Sequence, residues 1–241
     1  MPRGRGRNGG AWGKNRTTDS NSQSGIWGLY DAHQLKSNNT WGYVPPPAAP
    51  KFNWKYYAYG SSIANGRTVV VWRQTDGTVS YLRTVIGQQH TNINQTWNTY
   101  SEDLSSYSGT TGRIYIGYET GDNFYNDPQY DNMELVDTTV GDISLDPGTA
   151  TGRGRWEKYS TYTTTATPPT TSYSSIPIGT GTAALWNYDA GGTPSSSTGN
   201  TSDADGSTSG YYLYFEGSSP NYVSGTRYYW FRMTGDYTLA T

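Results

Sequence analysis

The chain has 241 residues, 33% hydrophobic and 15% aromatic, with 23 Tyr, 9 Trp and 30 Gly. It has no cysteine, which excludes disulfides and thiolate metal sites. No run of roughly eighteen apolar residues could span a bilayer as a helix, and the N-terminus lacks the apolar core of a signal peptide, so neither membrane insertion nor Sec export is expected.

The formal charge of −2 hides an asymmetry. Arg3, Arg5, Arg7, Lys14 and Arg16 precede the first acid, Asp19; the 12 remaining basic residues face all 19 acids, which leaves the rest of the chain at −7. Strong helix formers are scarce, whereas Thr, Ser, Gly, Asn and Tyr abound. Tyr and Trp bury a broad ring while keeping a polar tip at a wet surface, which suits strands and contact surfaces. An all-β fold is the expectation.

Residues 1–25 read as a basic extended arm, because Gly, Arg, Asn and Ser bury too little surface to offset the entropy of ordering. Arg–Gly repeats can bind phosphates, with Trp12 as a stacking platform. Five cations without a basic folded domain make a thin nucleic-acid footprint, so docking on an acidic neighbouring subunit is the preferred reading. Residues 26–50 form a Trp- and Pro-rich connector. A short helix is expected across Leu29–Leu35, followed by an extended path imposed by Pro45, Pro46, Pro47 and Pro50.

From Phe52 the strand signals are dense: "FNWKYYAYG", "TVVVWRQ", "VSYLRTVIG", "TWNTYSEDL", "GRIYIGYET" and "YDNMELVD", with "ANGR" and "TDGT" as hairpin turns. They predict a six-stranded antiparallel arrangement in which "VVV" and "RIYIGY" are buried on both faces or lie at a sheet centre. Past Asp137 three looser strands are expected around Trp156, Tyr173–Ile178 and Ala183–Tyr188. "SGYYLYFEG" and "TRYYWFRMTGDYTLAT" supply two more. Trp54, Trp72, Trp97 and Trp186 are expected in the core.

The segment from Phe52 to Asp137, with its "YGSS" turn, "GQ" turn, Trp97 and closing strand, resembles the second half of a MAM domain, a concanavalin-like jelly-roll sandwich. "WNYDAGGTPSSSTGNTSDADGSTSGYYLYFEG" resembles the first half. The reversed order implies a single circularly permuted jelly-roll β-sandwich over 51–241, a rearrangement that surface termini permit. It places Tyr211–Glu216 in the same sandwich as Phe52–Tyr59, and the last strand beside Phe52–Gly60. The family's cysteines are missing, and its "TGP" is "TGN" here.

Permuted modules of this kind, preceded by a "GIW-L-DA" segment, resemble those of tailed-bacteriophage virion proteins of the marine and cyanophage type. The resemblance implies a non-enzymatic structural protein of the virion, as capsid decoration or a tail or fibre component. Arg3, Arg5, Arg7, Trp12, Trp27 and Trp41 would dock it on other capsid or tail subunits in a symmetric multicopy assembly. A carbohydrate- or receptor-binding adhesin directed at host surface polysaccharide is the alternative. The resemblance also implies a cation held by Asp127, Asp131 and Asp203, and carboxylates from separate strands suit Ca²⁺; the same acids could equally cap turns. His33 and His90 lack a partner motif and read as surface imidazoles. Glu102 with Asp103, or Glu119 with Asp122, has no spacing that distinguishes a glycosidase pair from surface acids.

Overall fold

A computed structural model describes residues 34–37, 40–43, 49–59, 66–91, 95–120, 127–137, 142–149, 152, 154–176, 184–186, 200, 202–207, 211–215 and 226–241. By its internal contacts the chain divides into residues 1–48 and 49–241. In the first unit β1 (Gln34–Ser37) and β2 (Thr40–Tyr43) pair as an antiparallel hairpin. The helix expected across Leu29–Leu35 is corrected at its end: Gln34 and Leu35 belong to β1, and residues 29–33 lie outside the described residues. Seven residues are too few to offset helix nucleation, whereas the hairpin pairs the facing backbone groups of the two strands.

In the second unit the elements are β3 (Lys51–Tyr59), β4 (Arg67–Gln74), β5 (Val79–Ile86), β6 (Asn98–Asp103), a 3-10 turn (Ser105–Tyr107), β7 (Thr111–Thr120), β8 (Asp127–Val136), β9 (Ile143–Ser144), β10 (Trp156–Tyr159), β11 (Tyr173–Ser175), β12 (Ala184–Trp186), β13 (Tyr212–Tyr214), β14 (Arg227–Met233) and β15 (Tyr237–Thr238). They form a β-sandwich. One sheet runs β11-β10-β14-β7-β4-β5, with β15 also on β7; the other runs β12-β13-β8-β3-β6, with β9 also on β8. The pairings are antiparallel except β12–β13.

The six strands from Phe52 onward divide between the two layers of the sandwich. β3, β6 and β8 join one layer and β4, β5 and β7 the other, because both groups carry alternating apolar faces that can be buried only against each other. Phe52, Trp54, Tyr130 and Leu135 from one layer meet Val70, Trp72, Ile116 and Phe231 from the other in a common core. β13 pairs with β8, which pairs with β3, so Tyr212–Tyr214 and Phe52–Tyr59 share a sheet. The last strands correct the other expectation: β14 and β15 lie on β7 in the opposite layer, while β3 is flanked by β6 and β8. Tyr229, Phe231 and Met233 of β14 alternate into the core beside Ile114 and Ile116 of β7, and that match of apolar faces fixes the neighbour.

Two irregularities matter below. In β8 the register steps from Asn53↔Glu134 to Lys55↔Asp131, and Asn132 takes a left-handed φ of 44°. This is a β-bulge whose odd residue is Asn, the non-glycine type that best tolerates that conformation. It lets Tyr130 and Met133 both enter the core while Asp131 falls on the outer face. In β5 the register steps from Val70↔Arg83 to Val71↔Tyr81, leaving Leu82 as an extra residue. The outer face of the β4–β7–β14 layer is itself buried: Val69, Val71, Tyr115, Tyr228 and Trp230 pack with Tyr159, Ala166 and Tyr173. The segment between β10 and β11 is fastened there by Trp230 Nε1 donating to Thr163 Oγ1 at 3.0 Å and Tyr81 Oη donating to the Ala166 carbonyl at 3.0 Å.

Candidate functional site

The outer face of the β13–β8–β3 layer carries an aromatic cluster of Tyr57, Trp97, Tyr212 and Tyr214. Trp97 lies 5.7 Å from Tyr57 and 5.6 Å from Tyr212 between ring centroids. His90 stacks on Tyr57 at 4.1 Å, a position that corrects its reading as a surface imidazole, since it is 4% exposed. Its Nδ1 accepts the Ala58 N–H at 3.2 Å and its Nε2 faces the Thr96 carbonyl at 3.1 Å, an arrangement that suits the neutral Nε2–H tautomer. Burial, opposed by the Thr96 and Ala58 carbonyls, moves its pKa below the ordinary histidine value. Its role is to join β3 to the start of β6.

Residues 200 and 202–207 are stitched onto this face by side chains of β3 and β8. The Gln129 amide brackets the Asn200 backbone, donating to its carbonyl at 2.9 Å and accepting its N–H at 3.0 Å. Tyr212 Oη donates to the same carbonyl at 2.8 Å. Asp131 Oδ2 accepts the Ala204 N–H at 2.7 Å, Asn132 donates to Asp205 Oδ1 at 2.8 Å, and Lys55 lies 3.5 Å from Asp205. The bulge thus supplies two of the clasps. Asp203 closes the turn from within, its Oδ1 accepting the N–H groups of Asp205 at 3.1 Å and Ser207 at 2.7 Å, while Gly206 takes a φ of 86°.

Between this loop and Gln95–Trp97 lies an open cleft of about 380 Å³ that also includes Asn200, Ser202, Asp203 and Asp205. Trp97 is 7% exposed, and its indole N–H is buried without a partner among the described residues. Carboxylates and an amide at the rim of the cleft can orient a hydroxyl-rich ligand, with the small exposed part of the Trp97 ring as apolar floor.

Beneath the loop, Asp131 is 1% exposed and its Oδ1 is buried without a hydrogen-bond partner among the described residues. Burial pushes its pKa up to about 8, against the pull of the Ala204 and Asn132 N–H groups, and the Asp146 carboxyl adds to the rise. Asp146 is half-buried and accepts the Gly148 N–H at 2.8 Å. A proton on Asp131, donated toward Asp146, gives the orphaned oxygen a role.

The structure brings Asp131 against the Asp203 loop through the Ala204 N–H. Of the implied calcium set, Asp131 and Asp203 alone have described side chains. Asp203 uses Oδ1 on its own turn, Asp131 uses Oδ2 on Ala204, and Asp127, opposite Tyr59, has its side chain outside the described residues. No group of three or more His, Asp or Glu able to hold a metal occurs among the described residues.

Glu102, read as a surface acid, is also corrected. It is 4% exposed, accepting Trp54 Nε1–H at 2.8 Å and Arg83 Nε–H at 2.5 Å. Asp103 caps Ser105 N–H at 2.8 Å and Glu119 pairs with Arg67; His33 and Asp122 lie outside the described residues. Of the docking residues Trp41 falls in β2, its side chain not described, and Arg3, Arg5, Arg7, Trp12 and Trp27 lie outside the described residues. The sequence reading missed Asp146, Gln129 and Asn132: each lies in an unremarkable polar run, and only strand register reveals what it faces. Compared with known proteins, the chain matches no family model, no curated protein and no solved structure.

Proposed function

We propose that the chain is a non-enzymatic structural protein of a phage virion, docked on neighbouring subunits through its N-terminal segment and displaying the sandwich outward as capsid decoration or part of a tail or fibre. The observation that carries this reading is the division of the chain at residue 48: a segment rich in Arg, Gly and Trp stands apart in contacts from a sandwich with its own core. Reading 51–241 as a permuted MAM-like jelly roll rests on the sequence motifs, and the β13–β8–β3 neighbourhood supports it. Removing residues 1–48 is expected to abolish association with purified particles. Retention on the particle by the truncated protein would sink the docking claim.

The cleft favours a second reading, a carbohydrate- or receptor-binding adhesin. Many copies on a symmetric particle would raise weak contacts to useful avidity. A glycan array that includes host surface polysaccharide separates the two: binding lost in Trp97→Ala supports the adhesin, and a blank array counts against it.

A further inference from the structure

On the outer face of the other layer, β14, β7 and β4 lie side by side, and each brings an arginine to one pocket: Arg232, Arg113 and Arg73. Arg73 and Arg113 stand directly opposite in the β4–β7 register, and Arg232 stands opposite Tyr115, two residues along from Arg113. Like charges directly opposite on adjacent strands repel. Such a placement calls for an anion.

The three are unequally satisfied. Arg232 is closed off: Nε and Nη2 reach Glu157 Oε2 at 2.8 and 2.7 Å, Nη1 donates to the Thr170 carbonyl at 2.8 Å, and the guanidinium lies 3.9 Å from the centre of the Tyr173 ring. Arg113 donates through Nε to Asp236 Oδ1 at 2.7 Å and reaches the Met233 carbonyl at 3.5 Å. Arg73 meets the Pro168 carbonyl and has no carboxylate partner among the described residues. Asp76, on the neighbouring turn, accepts the Thr78 N–H on Oδ1 at 2.8 Å. The pocket has a volume of about 200 Å³, and Gln74, Thr75 and Thr170 complete its wall.

We propose that this pocket binds an oxyanion-bearing sugar, a uronate or sulfated unit of an acidic polysaccharide. The planar guanidinium of Arg73 presents a donor fork that matches a carboxylate or sulfate, and an anion there relieves its repulsion with Arg113. Gln74, Thr75 and Thr170 line the pocket where sugar hydroxyls would lie, with Asp236 as an acceptor. The site is on the opposite outer face from the Trp97 cleft, and its assignment stands independently of both functional readings above.

The test follows arginine Nε–Hε signals of the full chain by NMR during titration with glucuronate, galactose sulfate, glucose and inorganic sulfate. Saturable shifts at Arg73 and Arg113 with the two acidic sugars are expected, weaker ones with inorganic sulfate and none with glucose. Arg73→Gln should weaken acidic-sugar binding about tenfold, in keeping with loss of a charge-assisted hydrogen bond. Arg3, Arg5 and Arg7 are the internal control, since anion association with the arm leaves Arg73 and Arg113 unmoved. Absence of saturable shifts at Arg73 and Arg113 in the unmodified protein overturns the proposal, and that result does not depend on the variant folding. Equal affinity for inorganic sulfate and galactose sulfate overturns the sugar assignment, as does tighter occupation by a single-stranded oligonucleotide.

Discussion

Asp131 and His90 set opposite pH dependences on one face of the sandwich. The folded pKa of Asp131 is raised to about 8 by burial, so the native state holds a proton that the unfolded chain releases near pH 4. Its contribution is full below the unfolded value and declines as pH rises toward 8, with a limiting slope of about 1.4 kcal/mol per pH unit. Asp131→Asn keeps an acceptor for Ala204 and a donor toward Asp146. Chemical denaturation from pH 4 to 8 should show the decline in the parent and a flatter profile in the variant; equal slopes would refute the proton assignment. Melting in Ca²⁺ and in chelator should coincide, whereas a Ca²⁺-dependent rise would place the ion at this pair instead. His90 is held neutral by burial, so acidification below the ordinary histidine range must protonate the unfolded chain first and lower stability. His90→Gln should remove that acid-side loss in the same titration.

At the scale of elements, closely fitted pairs hold the two layers in place. A methyl group at Gly117 would come 2.5 Å from the Trp230 ring on the adjacent strand. Gly117→Ala is therefore expected to lower stability by roughly 1–3 kcal/mol through overpacking, measured as a shift of the denaturation midpoint. Glu102 joins β6 to β3 and β5 by its bonds to Trp54 and Arg83. Glu102→Ala should cost about 1–3 kcal/mol because it leaves the buried Trp54 indole N–H without its acceptor, and Glu102→Gln distinctly less.

The strands themselves were legible in sequence, since "VVV" and "RIYIGY" show their burial by composition. Their distribution between layers was not, because alternation marks a buried face without naming what covers it. The final "YYWF" shows the difference: its pattern announces a strand, yet whether that strand lies on β3 or β7 depends on contacts far away in the chain. His90 and Glu102 look like surface residues for the same reason, their burial being imposed by Tyr57 and Trp54 on another strand.

For the whole molecule, the division at residue 48 makes the sandwich the cooperative unit. A fragment comprising residues 49–241 should fold, with a denaturation midpoint close to that of the full chain, because the common core is built within it. A large loss of midpoint would show that the first 48 residues complete that core.

The extra residue in β5 bears on crowding. β5 is the outermost strand of its layer, with Tyr81 and Ile86 51% and 63% exposed. An outermost strand offers unpaired backbone to any neighbour, and a flat one would recruit a second copy. Leu82 interrupts its regular hydrogen-bonding rhythm and twists it locally, while Arg83 is drawn to Glu102 and Tyr100. A second copy brought alongside can thus touch β5 without the two sheets merging into one, and the risk of runaway fibre growth is reduced.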